Sequence, residues 1–201
     1  MLHLITDTTV QNRYSHAELA ELAFAGGATY VQYRNKAFDR SRDLEDLMKI
    51  ALVAKRLGRI LIVNDDAALA LEVGAQGVHL GIEDGSPAKA RALLGPEAVI
   101  GATVHNHEEL DALRGQNIDY IGVGPVYGTR SKDTGLPDLG LENLRSLCEA
   151  SPFPVVGIGG ITPENALPVY RAGGSGIAIL SAFCKAPNPK KFVQDLLPIL
   201  P

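Results

Sequence analysis

The 201 residues are 46% hydrophobic and 21% charged, an ordinary globular composition, with 19 basic against 23 acidic side chains and a net charge of −4. That balance, with no basic run, argues against a nucleic-acid partner, and no stretch is long or apolar enough to span a membrane. The two cysteines, Cys148 and Cys184, have neither metal spacing nor a disulfide framework, so a reducing cytoplasm is the expected location, and the opening MLHLITDTT lacks the pattern of a signal peptide.

Leu2–Thr6 is a short apolar strand ending in Asp7-Thr8-Thr9. Ser15 and Glu18 form a capping box that opens a helix running to Gly26-Gly27. Thr29–Tyr33 is a second strand. Ser41 can cap a helix with Leu44, Leu47, Met48 and Ala51 on one face, stopping at Gly58. Arg59–Val63 reads as a strand buried on both faces, followed by a helix from about Asp66 to Val73 and a strand at Gly77–Leu80. Ser86-Pro87 opens a helix in the cap-then-proline manner, ending near Gly95.

Ala98–Ala102 is the fifth strand, and Asn106 with Glu109 caps a helix to about Gly115. Ile118–Val123 is the sixth, stopped by Pro125, which has no N–H for a ladder. A polar run, Thr129-Arg-Ser-Lys132 and onward to Gly140, precedes a helix at Leu141–Cys148. Pro154–Ile158 and Gly176–Leu180 are the last strands, with a helix opened by Thr162-Pro163 between them. A final helix from Asn188-Pro189 carries Phe192, Val193, Leu196 and Leu197 on its apolar side.

Eight strands alternating with eight helices, with no long polar linker, predict a parallel sheet closed into a single (β/α)8 TIM-barrel domain over residues 1–201. The other arrangement, an open doubly wound sheet, requires a Gly-rich turn after the first strand, and Asp7-Thr8-Thr9 offers none.

In such a barrel the chemistry sits where strands end. Gln32 at the end of strand two leads to Arg34 and Lys36; Asn64, Asp65 and Asp66 follow strand three; His79 on strand four is followed by Glu83 and Asp84; Thr103, His105 and Asn106 follow strand five. The strand starts carry far fewer such groups. Gly159-Gly160 before the helix from Thr162, together with Ser181, match the phosphate site common after strands seven and eight, with Thr129 and Ser131 able to add to it. Arg34, Lys36 and Lys132 beside Asp65 and Asp84 suit Mg²⁺ bridging a diphosphate, since Mg²⁺ takes one or two carboxylates plus substrate oxygens. Taken singly, Asp65 reads as a helix cap and Asp84 as a turn residue. His79 reads as a core-edge histidine, His105 as a neighbour of a cap, and His3, His16 and His107 as surface residues. No nucleophile–base pair stands out, so covalent catalysis is not suggested.

Val31-Gln-Tyr-Arg-Asn-Lys36, Val63-Asn-Asp65, Gly77-Val-His-Leu-Gly81 with Glu83-Asp84, Gly122-Val-Gly-Pro-Val-Tyr127 with Thr129-Arg-Ser-Lys132, and Gly157-Ile-Gly-Gly-Ile161 occur in that order. Together they resemble the thiamine phosphate synthase family from the first strand to the last helix. The resemblance implies coupling of a pyrimidine diphosphate to a thiazole phosphate with release of pyrophosphate. It implies that Gln32, Arg34, Lys36, Asn64, Thr103 and Lys132 hold the pyrimidine diphosphate, with Lys132, Arg34 and Lys36 as the catalytic cations. Asp65 and Asp84 would bind Mg²⁺, and Thr129, Arg130, Ser131, Gly159, Gly160, Leu180 and Ser181 would surround the thiazole phosphate.

Four positions depart from the family pattern: Asn35 for glutamate, Thr103 for serine, Gly128 for proline or alanine, and Ser131 for threonine. Thr103 and Ser131 keep the hydroxyl, whereas Asn35 removes a charge. The related thiazole tautomerases share the barrel but usually lack the second magnesium carboxylate and place a histidine near the Gly-Pro position; Pro125 and Asp84 favour the synthase. A phosphate-binding regulatory barrel without catalysis is a further alternative. The sequence leaves open an assembly of identical copies. The stretch Gly128–Gly135 is expected to order over bound substrates.

Overall fold

Short apolar runs form eight parallel strands, and the last pairs with the first, so the sheet closes on itself. The structure, a computed structural model, describes all residues except Phe38 and 129–136, without the side chains of Ser41 and Arg42. The strands are β1 (Leu2–Thr6), β2 (Tyr30–Tyr33), β3 (Ile60–Asn64), β4 (Gly77–Leu80), β5 (Val99–Val104), β6 (Tyr120–Val123), β7 (Val155–Ile158) and β8 (Gly176–Ile179). Helices α1 (His16–Gly26), α2 (Arg40–Leu57), α3 (Ala67–Val73), α4 (Pro87–Leu94), α5 (His107–Ala112), α6 (Gly140–Ala150), α7 (Ala166–Arg171), α8 (Ser181–Cys184) and α9 (Pro189–Leu196) follow the strands around the outside.

The period-2 alternation of side chains along a strand sorts two cores. Leu4, Val31, Leu61, Val78, Ile100, Ile121 and Ile177 point outward and pack under the helices, where Leu19, Leu47, Leu110 and Leu144 are fully buried. Ile5, Tyr120, Val156 and Ala178 point inward and fill the barrel's centre. Both faces are therefore largely buried, which is why β3, Ile-Leu-Ile-Val, reads as a continuous apolar run.

The capping signals place the helix starts well. Ser15 and Glu18 make the reciprocal capping box of α1, with Gly27 left-handed at its end. Asn106 accepts the Glu109 N–H and Asn188 the Lys191 N–H. Several expectations need correction. Helix α2 starts at Arg40, so Ser41 lies inside its first turn. Its buried stripe is Leu47, Ile50, Ala51 and Ala54, the spacing of one helical face; Met48, one residue off that stripe, is 52% exposed.

Thr162-Pro163 does not open a helix. The Asn165 side chain accepts the Thr162 N–H at 2.7 Å and donates to the Gly160 carbonyl at 3.0 Å, closing a turn, and α7 begins only at Ala166. Helix α8, four residues long, went unread because it is too short to show a period. It brings the described helices to nine where eight were expected. His3 and His16 are buried, not surface residues. His3 shares the inward parity of Ile5, and His16 packs at 4.5 Å on the Tyr33 ring while bonding Thr6 at 2.8 Å.

Candidate active site at the barrel mouth

A cavity of about 390 Å³ opens among the C-terminal ends of the strands. It is the size of ordinary small-molecule sites. From β2 and its loop, Gln32, Arg34 and Lys36 line it; from β3, Asn64 and Asp65; from β4 and β5, His79, Thr103 and His105. Across the opening lie Gly159, Gly160, Leu180 and Ser181. The structure thus brings together almost every described residue expected at the site. Asp84 stands at the rim against Gly81, whose N–H it accepts at 2.7 Å, outside the cavity lining itself. Thr129, Arg130, Ser131 and Lys132, and all but Gly128 of the Gly128–Gly135 stretch, lie outside the described residues.

The cations arrive paired. Arg34 forms an ion pair with Asp7, which is completely buried and also accepts the Thr9 N–H at 2.8 Å. Lys36 forms an ion pair with Asp65 in a more open setting. Asp65 is not the cap of α3: Asp66 takes that role, accepting the Leu69 N–H at 2.8 Å. Asp65 instead adopts a left-handed backbone (φ 71°), singular for a non-glycine among the described residues, and turns to the mouth. Such local strain recurs at functional sites.

Asp65 and Asp84 are close enough to interact. Partial burial raises the Asp84 carboxyl above its usual range, and the hydrogen bond that its protonated form gives to Asp65 raises it further. Two neighbouring carboxylates that resist joint ionisation are the donor set a hard divalent cation would stabilise. Among the described residues no group of three or more metal-ligating side chains gathers, so further oxygens would come from substrate and water. The pair fits Mg²⁺ on those terms.

On the opposite side, Gly159 (φ 98°) and Gly160 (φ 64°) need left-handed backbone. A Cβ on Gly160 would lie 2.2 Å from the Tyr127 carbonyl oxygen, so the loop is built on bare backbone. These glycines head the Asn165 turn, which corrects the expectation that they directly precede a helix. Ser181 opens α8 instead, with Leu180 before it.

The cavity floor holds residues that the sequence reading left out or treated as packing. His79 lies 3.0 Å from the Tyr120 hydroxyl through Nδ1 and 3.0 Å from Thr103 Oγ1 through Nε2. Burial raises the Tyr120 phenol well above its usual range, and an interaction with the Gln32 side chain opposes that rise. His3 stacks on Tyr30 at 4.6 Å and tilts against Tyr120 at 4.8 Å. Burial pushes the His3 imidazole down to about 3, and among the described residues its Nε2 has no partner. Asp7 and Lys185 were also missed; inward parity marks His3 and Tyr120, and Lys185 follows Ser181 by one helical turn, but no motif marks Asp7.

The closed parallel barrel, with its polar groups gathered at the C-terminal mouth, defines an enzyme of the TIM-barrel class. The family model described as thiamine monophosphate synthase matches residues 2–183. The thiamine biosynthesis bifunctional protein ThiM/ThiE of Symbiobacterium thermophilum is 46% identical over 90% of this chain, which spans 38% of that longer protein. The thiamine-phosphate synthase of Salinibacter ruber is 40% identical over 94% of this chain and 84% of its own. Among solved structures, thiamine phosphate pyrophosphorylase from Pyrococcus furiosus superposes with a TM-score of 0.86 at 33% identity, covering 98% of this chain and 94% of that one. The chain belongs to the thiamine monophosphate synthase family, and with that family it is a transferase. No described helix is long and apolar enough to cross a membrane.

Proposed function

We propose that the chain couples the diphosphate of 4-amino-5-hydroxymethyl-2-methylpyrimidine to 4-methyl-5-(2-phosphoethyl)thiazole, forming thiamine phosphate and releasing pyrophosphate, with Mg²⁺ as its metal. The observation that carries this reading is one mouth with basic side chains and a carboxylate pair on one side and bare glycine backbone with a hydroxyl on the other, groups suited to two phosphorylated substrates. Arg34, Lys36, Asn64 and Asp65, with Asp84 at the rim beside it, lie across a single cavity from Gly159, Gly160, Leu180 and Ser181.

Gln32 and Thr103 would orient the aminopyrimidine, while Arg34, Lys36 and, from the sequence motif, Lys132 would hold the diphosphate. Gly159, Gly160, Leu180, Ser181 and the motif residues Thr129, Arg130 and Ser131 would hold the thiazole phosphate. Asp65 and Asp84 would hold Mg²⁺, which when bound neutralises charge on the leaving diphosphate. The side chains themselves supply alignment of the two substrates and cations aimed at the developing negative charge. No protein nucleophile is required: as the C–O bond breaks, its electron pair leaves with pyrophosphate, the electron-rich aminopyrimidine carries the positive charge, and the thiazole nitrogen attacks that carbon.

Asp7 fixes how Arg34 presents itself, because a guanidinium already paired on one edge can offer only the other. Lys36 shares Asp65 with the proposed metal, so metal binding would free the ammonium for the diphosphate. We place the enzyme in the cytoplasm, consistent with Cys148 and Cys184 both being free thiols. The test is growth of a thiamine-requiring bacterium that lacks its own thiamine phosphate synthase. Expression of this chain should restore growth without thiamine, and expression of Lys36→Ala should restore it poorly. Full-length, folded protein that gives no growth would overturn the reading.

A further inference from the structure

A hydrogen-bonded line crosses the barrel beneath the cavity. It runs from Tyr120 on β6 through His79 on β4 to Thr103 on β5, with Gln32 on β2 interacting with Tyr120 at its start. Tyr120 is 2% exposed and Gln32 5% exposed, so neither exchanges its partners with bulk water. The backbone makes room for this line. A Cβ on Gly101 would sit 2.2 Å from Tyr120 Cζ and 2.5 Å from its hydroxyl oxygen, and one on Gly122 would sit 2.9 Å from His79 Cε1. Two adjacent strands therefore carry glycine where the Tyr120 and His79 rings must pass.

The direction of the line follows from acidity. The phenol, with an ordinary pKa near 10, is a far stronger acid than an alcohol or a neutral imidazole N–H, and the bare imidazole nitrogen is the best base present. Tyr120 therefore gives its proton to His79 Nδ1. His79 then carries its own proton on Nε2 and gives it to Thr103 Oγ1. Burial raises the pKa of the Tyr120 phenol, as it would that of any acid on this floor, and Gln32 opposes the rise, the sense expected of an amide N–H aimed at the phenol oxygen. Thr103, which lines the cavity, keeps one proton to give to a ligand.

We propose that Tyr120 and His79 are positioning residues whose directional relay fixes Thr103 as a hydrogen-bond donor to an acceptor nitrogen of the bound pyrimidine. Neither residue needs to touch the reacting atoms. The choice of pyrimidine rests on the synthase reading above; the tautomer of His79 does not, because it is set before any substrate binds.

The experiment has two arms. A long-range ¹H–¹⁵N spectrum of ligand-free protein with labelled histidine, at pH 8, reads the tautomer, with His79 assigned by its loss in His79→Gln. The relay predicts a protonated Nε2 and a bare Nδ1, and a mixed or reversed tautomer in Tyr120→Phe. Steady-state kinetics form the second arm. Tyr120→Phe and Thr103→Val should each lower kcat/KM for the pyrimidine diphosphate about tenfold, the order of one neutral hydrogen bond, and leave the KM for the thiazole phosphate within about twofold. Thr103→Ser should regain most of what Thr103→Val loses. A protonated Nδ1 in the wild type overturns the proposal, as does an equal loss toward both substrates. If Tyr120→Phe fails to fold, the wild-type spectrum and the Thr103 pair still decide. A wild-type protein inactive on the pyrimidine diphosphate defeats the substrate assignment and leaves the spectrum to judge the relay.

Discussion

Asp7, with no exposed surface, meets the guanidinium of Arg34 at the edge of the barrel mouth. The pair is nearly neutral as a unit, so Arg34 binds a ligand with directed N–H groups more than with net charge. Removing one member leaves the other charged and dry, a cost of about 3–5 kcal/mol. Arg34→Ala should therefore lower the melting temperature markedly as well as weaken pyrimidine diphosphate binding. Lys36→Ala should not, because its side chain is 51% exposed and surface pairs contribute at most about 1 kcal/mol. Thermal unfolding of both variants at pH 7 checks the contrast, and equal destabilisation would contradict it.

His3 makes acid stability depend on one imidazole. Its folded pKa, about 3, lies below the ordinary 6.5, so between those values the unfolded chain binds the extra proton. The stabilisation is complete above pH 6.5 and fades as pH falls towards 3, by at most about 1.4 kcal/mol per pH unit. Melting temperatures from pH 7 to pH 4 should drop more steeply for the wild type than for His3→Phe. Parallel curves would show that His3 does not carry this dependence.

Gly160 is predicted to reject a side chain. Its φ of 64° and the 2.2 Å approach to the Tyr127 carbonyl oxygen oppose a Cβ together. Gly160→Ala should cost roughly 1–3 kcal/mol of stability and raise the KM for the thiazole phosphate more than that for the pyrimidine diphosphate. A variant with wild-type melting and kinetics would remove the glycine from the site.

Much of this was legible in the sequence because the signals are local. Proline, glycine and cap residues punctuate the chain, and the strands are short, mostly apolar and buried, so the strand ends and the residues on them could be named in order. Relationships across the barrel were not legible. Nothing near Asp7 shows that it meets Arg34, 27 residues on, and nothing around His3 shows that the strand turns it inward against Tyr120. The Thr162-Pro163 signal misled because Asn165, a side chain able to close a turn, competes with the helix. The Asn35 substitution has a structural use: its side chain bonds Asp43 at 3.0 Å and the Ala37 N–H at 3.0 Å, tying the loop to the start of α2.

Metal dependence should appear in binding as well as in turnover. Asp65→Asn, chosen because asparagine tolerates the left-handed backbone, and Asp84→Asn should each lower turnover about 10²–10³-fold while the fold survives. Calorimetric titration of the wild type with pyrophosphate should show binding that strengthens with Mg²⁺, an enhancement reduced in either variant. Turnover unchanged by excess EDTA would exclude the metal role.

Pyrophosphate release from purified protein given both substrates tests the central claim most directly. One pyrophosphate should appear for each thiamine phosphate formed, only when both substrates and Mg²⁺ are present. Isomerisation of the thiazole with no pyrophosphate released, or binding of both substrates without any reaction, would contradict the account.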